Sequence, residues 1–308
     1  MGVRWGFGVG TDVGDLATLR ESAAWAETAG FDSFWVSQVF GLDPIVAISA
    51  IAAERPGLVE FGTSVVPLTG RHPMSLGPAA MTAQAATDGR FTLGIGPSHR
   101  MVAEGFFGES FDRPFTRTRE FVASLVELFE TGSTSLQGEQ LSASGWLNID
   151  APPVPILLAA LGPRMLDLAG TSTDGTSLGS CGPITIATHI RPKITDAAER
   201  AGRPAPRIMA LVMVSVTDHP DERRASGREQ SKLYAELPSY RAMLDIEGVD
   251  SPAELSLLGS EDVIATGLQR YVDAGVTDFR IGIVSDTADE IAATRRFLEQ
   301  LLGGSSRT

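Results

Sequence analysis

Residues 74–96 read MSLGPAAMTAQAATDGRFTLGIG, and their reading decides the fold. Met74 to Thr87 has the small apolar make-up of a packed helix. Asp88-Gly89-Arg90 ends it, because glycine takes the left-handed backbone that closes a helix without steric cost. Phe91-Thr92-Leu93-Gly94-Ile95 follows at once as a short apolar strand. The same unit recurs along the chain. Glu21 to Ala29, capped by Gly30, leads to Phe31–Val36; Met165 to Ala169, with Gly170, leads to Gly175–Leu178; Val263 to Ala274, with Gly275, leads to Asp278–Val284. Strands near Trp5–Val9, Val59–Val66, Ile156–Ala160 and Ile208–Val216 complete a set of eight. Strands covered by helices on both faces read as continuous apolar runs, as these do. Strict alternation of strand and helix predicts the α/β class and a closed (β/α)8 TIM barrel rather than an open sheet.

The expected organisation is a single barrel domain over 1–302 and a flexible tail over 303–308. Two excursions interrupt it: 131–155, rich in Gly, Ser and Pro, with a short hairpin, and 221–260, too long for one crossover helix and expected to form two or three helical pieces. With 308 residues, 43% hydrophobic and 20% charged, the chain is large enough for one full core. Its formal net charge of -13 repels phosphate backbones and anionic lipid heads, so neither nucleic acid nor membrane is an expected partner. No apolar run approaches the roughly 18 residues of a membrane span. Cys181 is the single cysteine, so there is no internal disulfide and no zinc-type spacing. The stretch Met1 to Trp5 has no signal-peptide character, and a cytoplasmic protein is expected. Lys193 and Lys232, the chain's two lysines, fall in helical segments away from strand ends, which leaves Schiff-base chemistry little to work with.

In such barrels the working residues lie just past the C-terminal ends of the strands. Here those positions hold Thr11-Asp12, Ser37-Gln38, Ser64-Val65, Pro97-Ser98-His99, Leu161-Gly162-Pro163-Arg164, Ser180-Cys181, Thr217-Asp218 and Ser285-Asp286. A metal hydrolase needs several converging His, Asp or Glu ligands, and a glycosidase needs a close pair of carboxylates; this rim offers neither. Its small neutral polar groups suit a large flat cofactor that brings its own reactivity. Gly6-Phe7-Gly8-Val9-Gly10 lacks the third glycine of a dinucleotide fingerprint and lies inside a strand, so it reads as close backbone packing. Gly94-Ile95-Gly96-Pro97-Ser98-His99-Arg100, a strand ending in a donor-rich turn, fits a structural turn or a cofactor turn equally. Ala160-Leu161-Gly162-Pro163-Arg164 opens a helix with free N–H groups beside an arginine, which suits a phosphate seat or ordinary capping.

The order Val59-Glu60-Phe61-Gly62-Thr63-Ser64-Val65-Val66-Pro67, then Arg71-His72-Pro73, then Asp88 to Gly96, closely resembles the luciferase-like monooxygenase superfamily. Phe31 to Val36, Ala159 to Leu166 and Ala201-Gly202-Arg203-Pro204-Ala205-Pro206-Arg207 extend the likeness over nearly the whole chain. Within the superfamily it looks like the actinobacterial branch that uses the 5-deazaflavin coenzyme F420. The resemblance implies a non-prolyl cis peptide between Ser64 and Val65 beside the cofactor ring. It also implies a ring contact along Gly96, Pro97, Ser98 and His99, and a meeting of Ala160, Leu161, Gly162, Pro163 and Arg164 with the phosphate-bearing tail. Where many deazaflavin relatives carry an Asp-His pair, this chain has Gln38-Val39; Gln38 can hydrogen-bond to ring or substrate but cannot titrate. His99 stands where a sugar-phosphate-oxidising relative has a catalytic carboxylate, and an imidazole suits proton transfer near neutral pH. His72 reads as a loop residue beside a helix-starting proline, His189 and His219 as peripheral, Cys181 as small packing and Trp35 as core.

The expectation is therefore an oxidoreductase that moves hydride between coenzyme F420 and a small organic substrate, with His99 and Gln38 as the catalytic candidates. Phe40, Phe106, Phe107 and Phe111 point to an apolar substrate, or else pack beneath a long loop. One rival is an FMN-dependent monooxygenase that activates oxygen, and another a noncatalytic flavin-binding protein. The resemblance also implies a homodimer.

Overall fold

In the computed structural model, which describes residues 2–10, 13–38 and 40–303, the strands are Arg4–Val9 (β1), Ser33–Val36 (β2), Glu60–Thr63 (β3), Val66–Pro67 (β4), Phe91–Gly96 (β5), Ser133–Gln137 (β6), Ser142–Trp146 (β7), Ile156–Leu158 (β8), Gly175–Leu178 (β9), Arg207–Val216 (β10), Leu257–Gly259 (β11) and Asp278–Ile283 (β12). The helices are Leu16–Ala29 (α1), Pro44–Ile51 (α2), Pro73–Ala86 (α3), Arg100–Phe106 (α4), Pro114–Thr131 (α5), Pro163–Ser172 (α6), Pro183–Thr185 (α7), Arg191–Arg200 (α8), Pro220–Glu236 (α9), Pro238–Glu247 (α10), Glu261–Ala274 (α11) and Ala288–Gly303 (α12).

Eight parallel strands run β1, β2, β3, β5, β8, β9, β10, β12 and return to β1, closing the expected barrel. β4 continues the third strand against β5, while β6 and β7 form the expected hairpin within 131–155. The 221–260 excursion carries α9, α10 and a short 3-10 turn at Pro252–Leu255. It also supplies β11, which pairs with the overhanging end of β10 and which the helical expectation left out.

Gly30 (φ 92) and Gly275 (φ 101) terminate α1 and α11 in the left-handed region, as the repeated unit requires. Gly170 is different. α6 runs on to Ser172, and a Cβ on Gly170 would stand 2.5 Å from the Ile194 carbonyl, so this glycine brings α6 onto α8 rather than ending a helix.

Inside the barrel, Trp35, Leu157 and Met209 form a buried cluster separate from the helix-covered core. The interior glycines exist to admit large side chains. A Cβ on Gly62 would lie 2.1 Å from the Trp35 ring, and one on Gly8 would lie 2.4 Å from Arg280 Nε. The Gly6-Phe7-Gly8 run is thus close packing, as read from the sequence.

At the N-terminal end of the barrel, Arg207 donates to Glu60 at 2.7 Å and to Asp278 at 2.8 Å, and Arg4 reaches Asp278 at 2.7 Å. Burial works against the Arg207 charge, but the two carboxylates outweigh it and hold its pKa above the ordinary value.

Candidate active site

The opposite, C-terminal end gathers most of the residues singled out by sequence. The Ser64–Val65 peptide is cis, as the resemblance implied. Its carbonyl, on Ser64, accepts the Ser37 hydroxyl at 2.7 Å, and the Ser64 hydroxyl lies 3.1 Å from that of Ser177 on β9. The Gln38 backbone N–H reaches the Val65 carbonyl at 3.5 Å. Gly96 sits where a Cβ would be 3.0 Å from Val65 Cγ2 and 3.1 Å from Ala159 Cβ. Its missing side chain keeps the floor of the mouth flat between β3 and β8. Ser98 (φ 70) and Ser180 (φ 55) both take the left-handed backbone that side-chain-bearing residues seldom adopt, and both lie at strand ends of this mouth.

Beneath this floor lies a charge the sequence reading missed. Arg280, on β12 and 5% exposed, threads past Gly8 and donates to the Val9 carbonyl and the Ser37 hydroxyl, each at 2.8 Å. The signal was present: an arginine inside a barrel strand needs space, and Gly6-x-Gly8 on the neighbouring strand supplies it.

Gln38 is fixed by another overlooked residue. Arg71 Nη2 donates to Gln38 Oε1 at 2.8 Å and to Asp43 Oδ2 at 2.6 Å, while Asp43 also caps α2. With its carbonyl oxygen occupied by the guanidinium, Gln38 has its amide N–H groups left to donate. Val39, Thr11 and Asp12 fall outside the described residues.

His99 is half-buried, and burial holds its pKa below the ordinary imidazole value. Its ring makes no hydrogen bond among the described residues; it packs against Tyr240 at 5.4 Å and Tyr234 at 6.3 Å between centroids. Both tyrosines come from the 221–260 excursion and were not foreseen. His72 caps α3, its Nδ1 accepting from the Met74 N–H at 3.1 Å, in keeping with a loop role. His189 is not peripheral. Its Nε2 donates to the Leu161 carbonyl at 2.8 Å and its Nδ1 accepts from Lys193 at 3.2 Å, so this pair steadies the loop after β8, and Lys193 is not remote from a strand end.

In that loop Ala160 is buried, while Gly162, Pro163 and Arg164 are exposed. The N-termini of α5 and α6 have no side-chain cap. Arg164 stacks on Phe115 at 4.0 Å, beside an opening of about 370 Å³ lined also by Arg113 and Asp112. Arg113 is paired with Glu139 at 2.7 Å, which leaves the uncapped first-turn N–H groups and the Arg164 guanidinium as the groups that can hold an anion there.

The remaining rim groups are occupied structurally. Glu290 accepts from Ser285 and Thr217 and pairs with Arg223, and its pKa is lowered first by the Ser285 hydrogen bond. Asp286 pairs with Arg223 as well. Cys181 is buried, and burial keeps its thiol protonated. Phe40 and Phe106 are 63% and 61% exposed and meet at 5.0 Å, an apolar lip at the mouth, whereas Phe107 packs on Gly70 and Phe111 beneath Arg100. Among the described residues, no group of three or more His, Cys, Asp or Glu is placed to hold a metal ion, and no helix is long and apolar enough to cross a membrane.

A closed parallel barrel whose mouth offers neutral donors, a flat glycine floor and a buried cation is the build of an oxidoreductase that works through a bound organic cofactor. The family model for luciferase-like monooxygenases matches residues 3–278, and the chain belongs to that family. It is 29% identical over 295 residues to the F420-dependent glucose-6-phosphate dehydrogenase of Gordonia bronchialis, covering 90% of this chain and 85% of the relative. It is 23% identical over 244 residues to 5,10-methylenetetrahydromethanopterin reductase of Methanolobus tindarius, covering 79% and 74%. The solved structure of coenzyme F420 dependent tetrahydromethanopterin reductase from Methanopyrus kandleri superposes with a TM-score of 0.80 at 19% identity, covering 99% of this chain and 98% of that one.

Proposed function

We propose that this chain is an F420-dependent oxidoreductase acting on a small organic substrate at the C-terminal mouth of the barrel. The observation that carries the reading is the floor formed by Ser64, Val65 and Gly96 over the Arg280–Ser37 relay. A Cβ at Gly96 would strike Val65 and Ala159, so the glycine keeps open a flat seat that a tricyclic ring fits. Bound there, the deazaflavin supplies hydride or accepts it. The protein's part is to position, to exclude water and to manage one proton.

Within this reading Ser64, Val65, Gly96, Pro97 and Ser98 line the ring, and Gln38 donates to it or to the substrate through its free amide N–H groups. Leu161, Gly162, Pro163 and Arg164 receive the anionic tail, with the buried Ala160 contributing backbone alone. His99, neutral at working pH because burial disfavours its charged form, takes a proton from a substrate hydroxyl when the substrate is oxidised, and returns it in the reverse direction. Phe40 and Phe106 cover the substrate's apolar part. The chain works as a homodimer, a reading that rests on the family resemblance, and in the cytoplasm, a reading that rests on its single cysteine, Cys181.

The test is anaerobic mixing of the protein with reduced F420 and a panel of enones, imines and ketones, following oxidation of the deazaflavin by its absorbance. Turnover without oxygen uptake supports the proposal. Oxygen consumption with reduced FMN and none of this turnover would favour the monooxygenase reading, and tight F420 binding without any turnover the noncatalytic one.

A further inference from the structure

The excursion that carries α9 and α10 adds to the mouth a structure the barrel strands do not supply. α10 is well anchored: Met243 and Leu244 are buried, the Met243 carbonyl accepts the Thr185 hydroxyl at 3.1 Å, and Glu247 accepts the Thr185 N–H at 2.7 Å. α9 has no buried residue along its length; it is tied by ion pairs of Arg223 and Arg228 and by the approach of Gly227 to Ala253. From the fixed helix, Tyr240 reaches across the mouth. Its ring stands 5.4 Å from His99 at the end of β5, and its hydroxyl lies 3.9 Å from where a Cβ of Gly179 would be, just past β9. Since β8 lies between β5 and β9, Tyr240 spans the end of β8. Tyr234 from α9 closes the group at 5.9 Å from Tyr240 and 6.3 Å from His99.

The three rings meet tilted or edge-on, at 52° to 79° between their planes, as a cluster with unused polar edges. Among the described residues the Tyr240 hydroxyl has no hydrogen-bond partner, although the side chain is half-buried. The hydroxyl is not sealed from water, so it is free to donate to a ligand oxygen that takes the place of solvent at the mouth. Resting on the function proposed above, we propose that Tyr240 is a substrate-binding residue that donates its hydroxyl to the oxygen of an apolar ketone or the corresponding alcohol, whose apolar body lies against the cluster of His99, Tyr234 and Tyr240. Burial pushes the Tyr240 pKa up to about 12, so the phenol remains a donor throughout the working range. The substrate is then apolar over most of its surface, meeting Phe40 and Phe106, and polar at one oxygen.

The test is calorimetric titration of the full chain with two probes of matched shape, 2-acetylnaphthalene and 2-ethylnaphthalene. In the unsubstituted protein the ketone binds more tightly than the hydrocarbon. Tyr240→Phe, which keeps the ring, weakens ketone binding about fivefold, the worth of one hydrogen bond, and leaves the hydrocarbon within about twofold. The hydrocarbon arm also reports whether the variant is folded. Ketone affinity unchanged in Tyr240→Phe, equal loss for both probes, or no binding of either probe to the unsubstituted protein would overturn the proposal. Titration of both proteins with F420 separates this result from the function itself: failure of the unsubstituted protein to bind F420 sinks the cofactor reading, whereas the difference between the probes is read without cofactor.

Discussion

A neutral, partly buried imidazole is what His99 offers the site. Burial lowers its pKa, so the proton-accepting form prevails at neutral pH and is lost only as pH falls through a value below about 6.5. In the direction that oxidises an alcohol, kcat/KM is therefore expected to fall on the acid side. His99→Ala is expected to lose that limb, to slow turnover by about a hundredfold, and to keep F420 affinity within a few-fold; an unchanged rate would remove the acid-base role. Arg280 belongs to the same scale. Arg280→Met removes the cation and the donor to Ser37 while keeping bulk, and F420 binding by the variant is expected to weaken at least tenfold in a fluorescence titration. His99, Ser64 and Gly96 could be placed at the mouth from sequence because each lies at or just past the end of a strand whose apolar run is plain. Arg280 left a trace in the Gly6-x-Gly8 run of the neighbouring strand, but Arg71 and Tyr240 could not be found in the same way. Their partners Gln38 and His99 lie far away along the chain, and such contacts have no local pattern.

At the scale of elements, the two ends of the barrel do different work. The Arg4, Glu60, Arg207 and Asp278 network ties β1, β3, β10 and β12 together away from the mouth. Arg207→Ala leaves two buried carboxylates short of a partner and is expected to cost about 3 to 5 kcal/mol in urea unfolding, with F420 affinity of the folded protein unchanged. Gly62→Ala sets a methyl group against the Trp35 ring in a filled interior, and about 1 to 3 kcal/mol of destabilisation is expected from the same measurement. The strand–helix unit was legible because its period and its glycine caps are local. β11 was not: it has three residues and owes its existence to pairing with β10, a tertiary contact. The misread Gly170 shows the same limit, since a glycine that admits a neighbouring helix and one that ends its own look alike in sequence.

The whole molecule is acidic, with a formal net charge of -13, yet its candidate site is built from neutral donors and arginines. Binding of an anionic cofactor must then come from short-range devices: Arg164 by the outer opening and the uncapped starts of α5 and α6. The closed barrel holds them in one frame, with the floor at the strand ends and the tyrosine cluster added from the excursion between β10 and β11. The most direct test of this account is equilibrium titration of the purified protein with coenzyme F420 and, separately, with FMN. The account predicts F420 binding at least tenfold tighter than FMN; FMN binding the tighter of the two would contradict it.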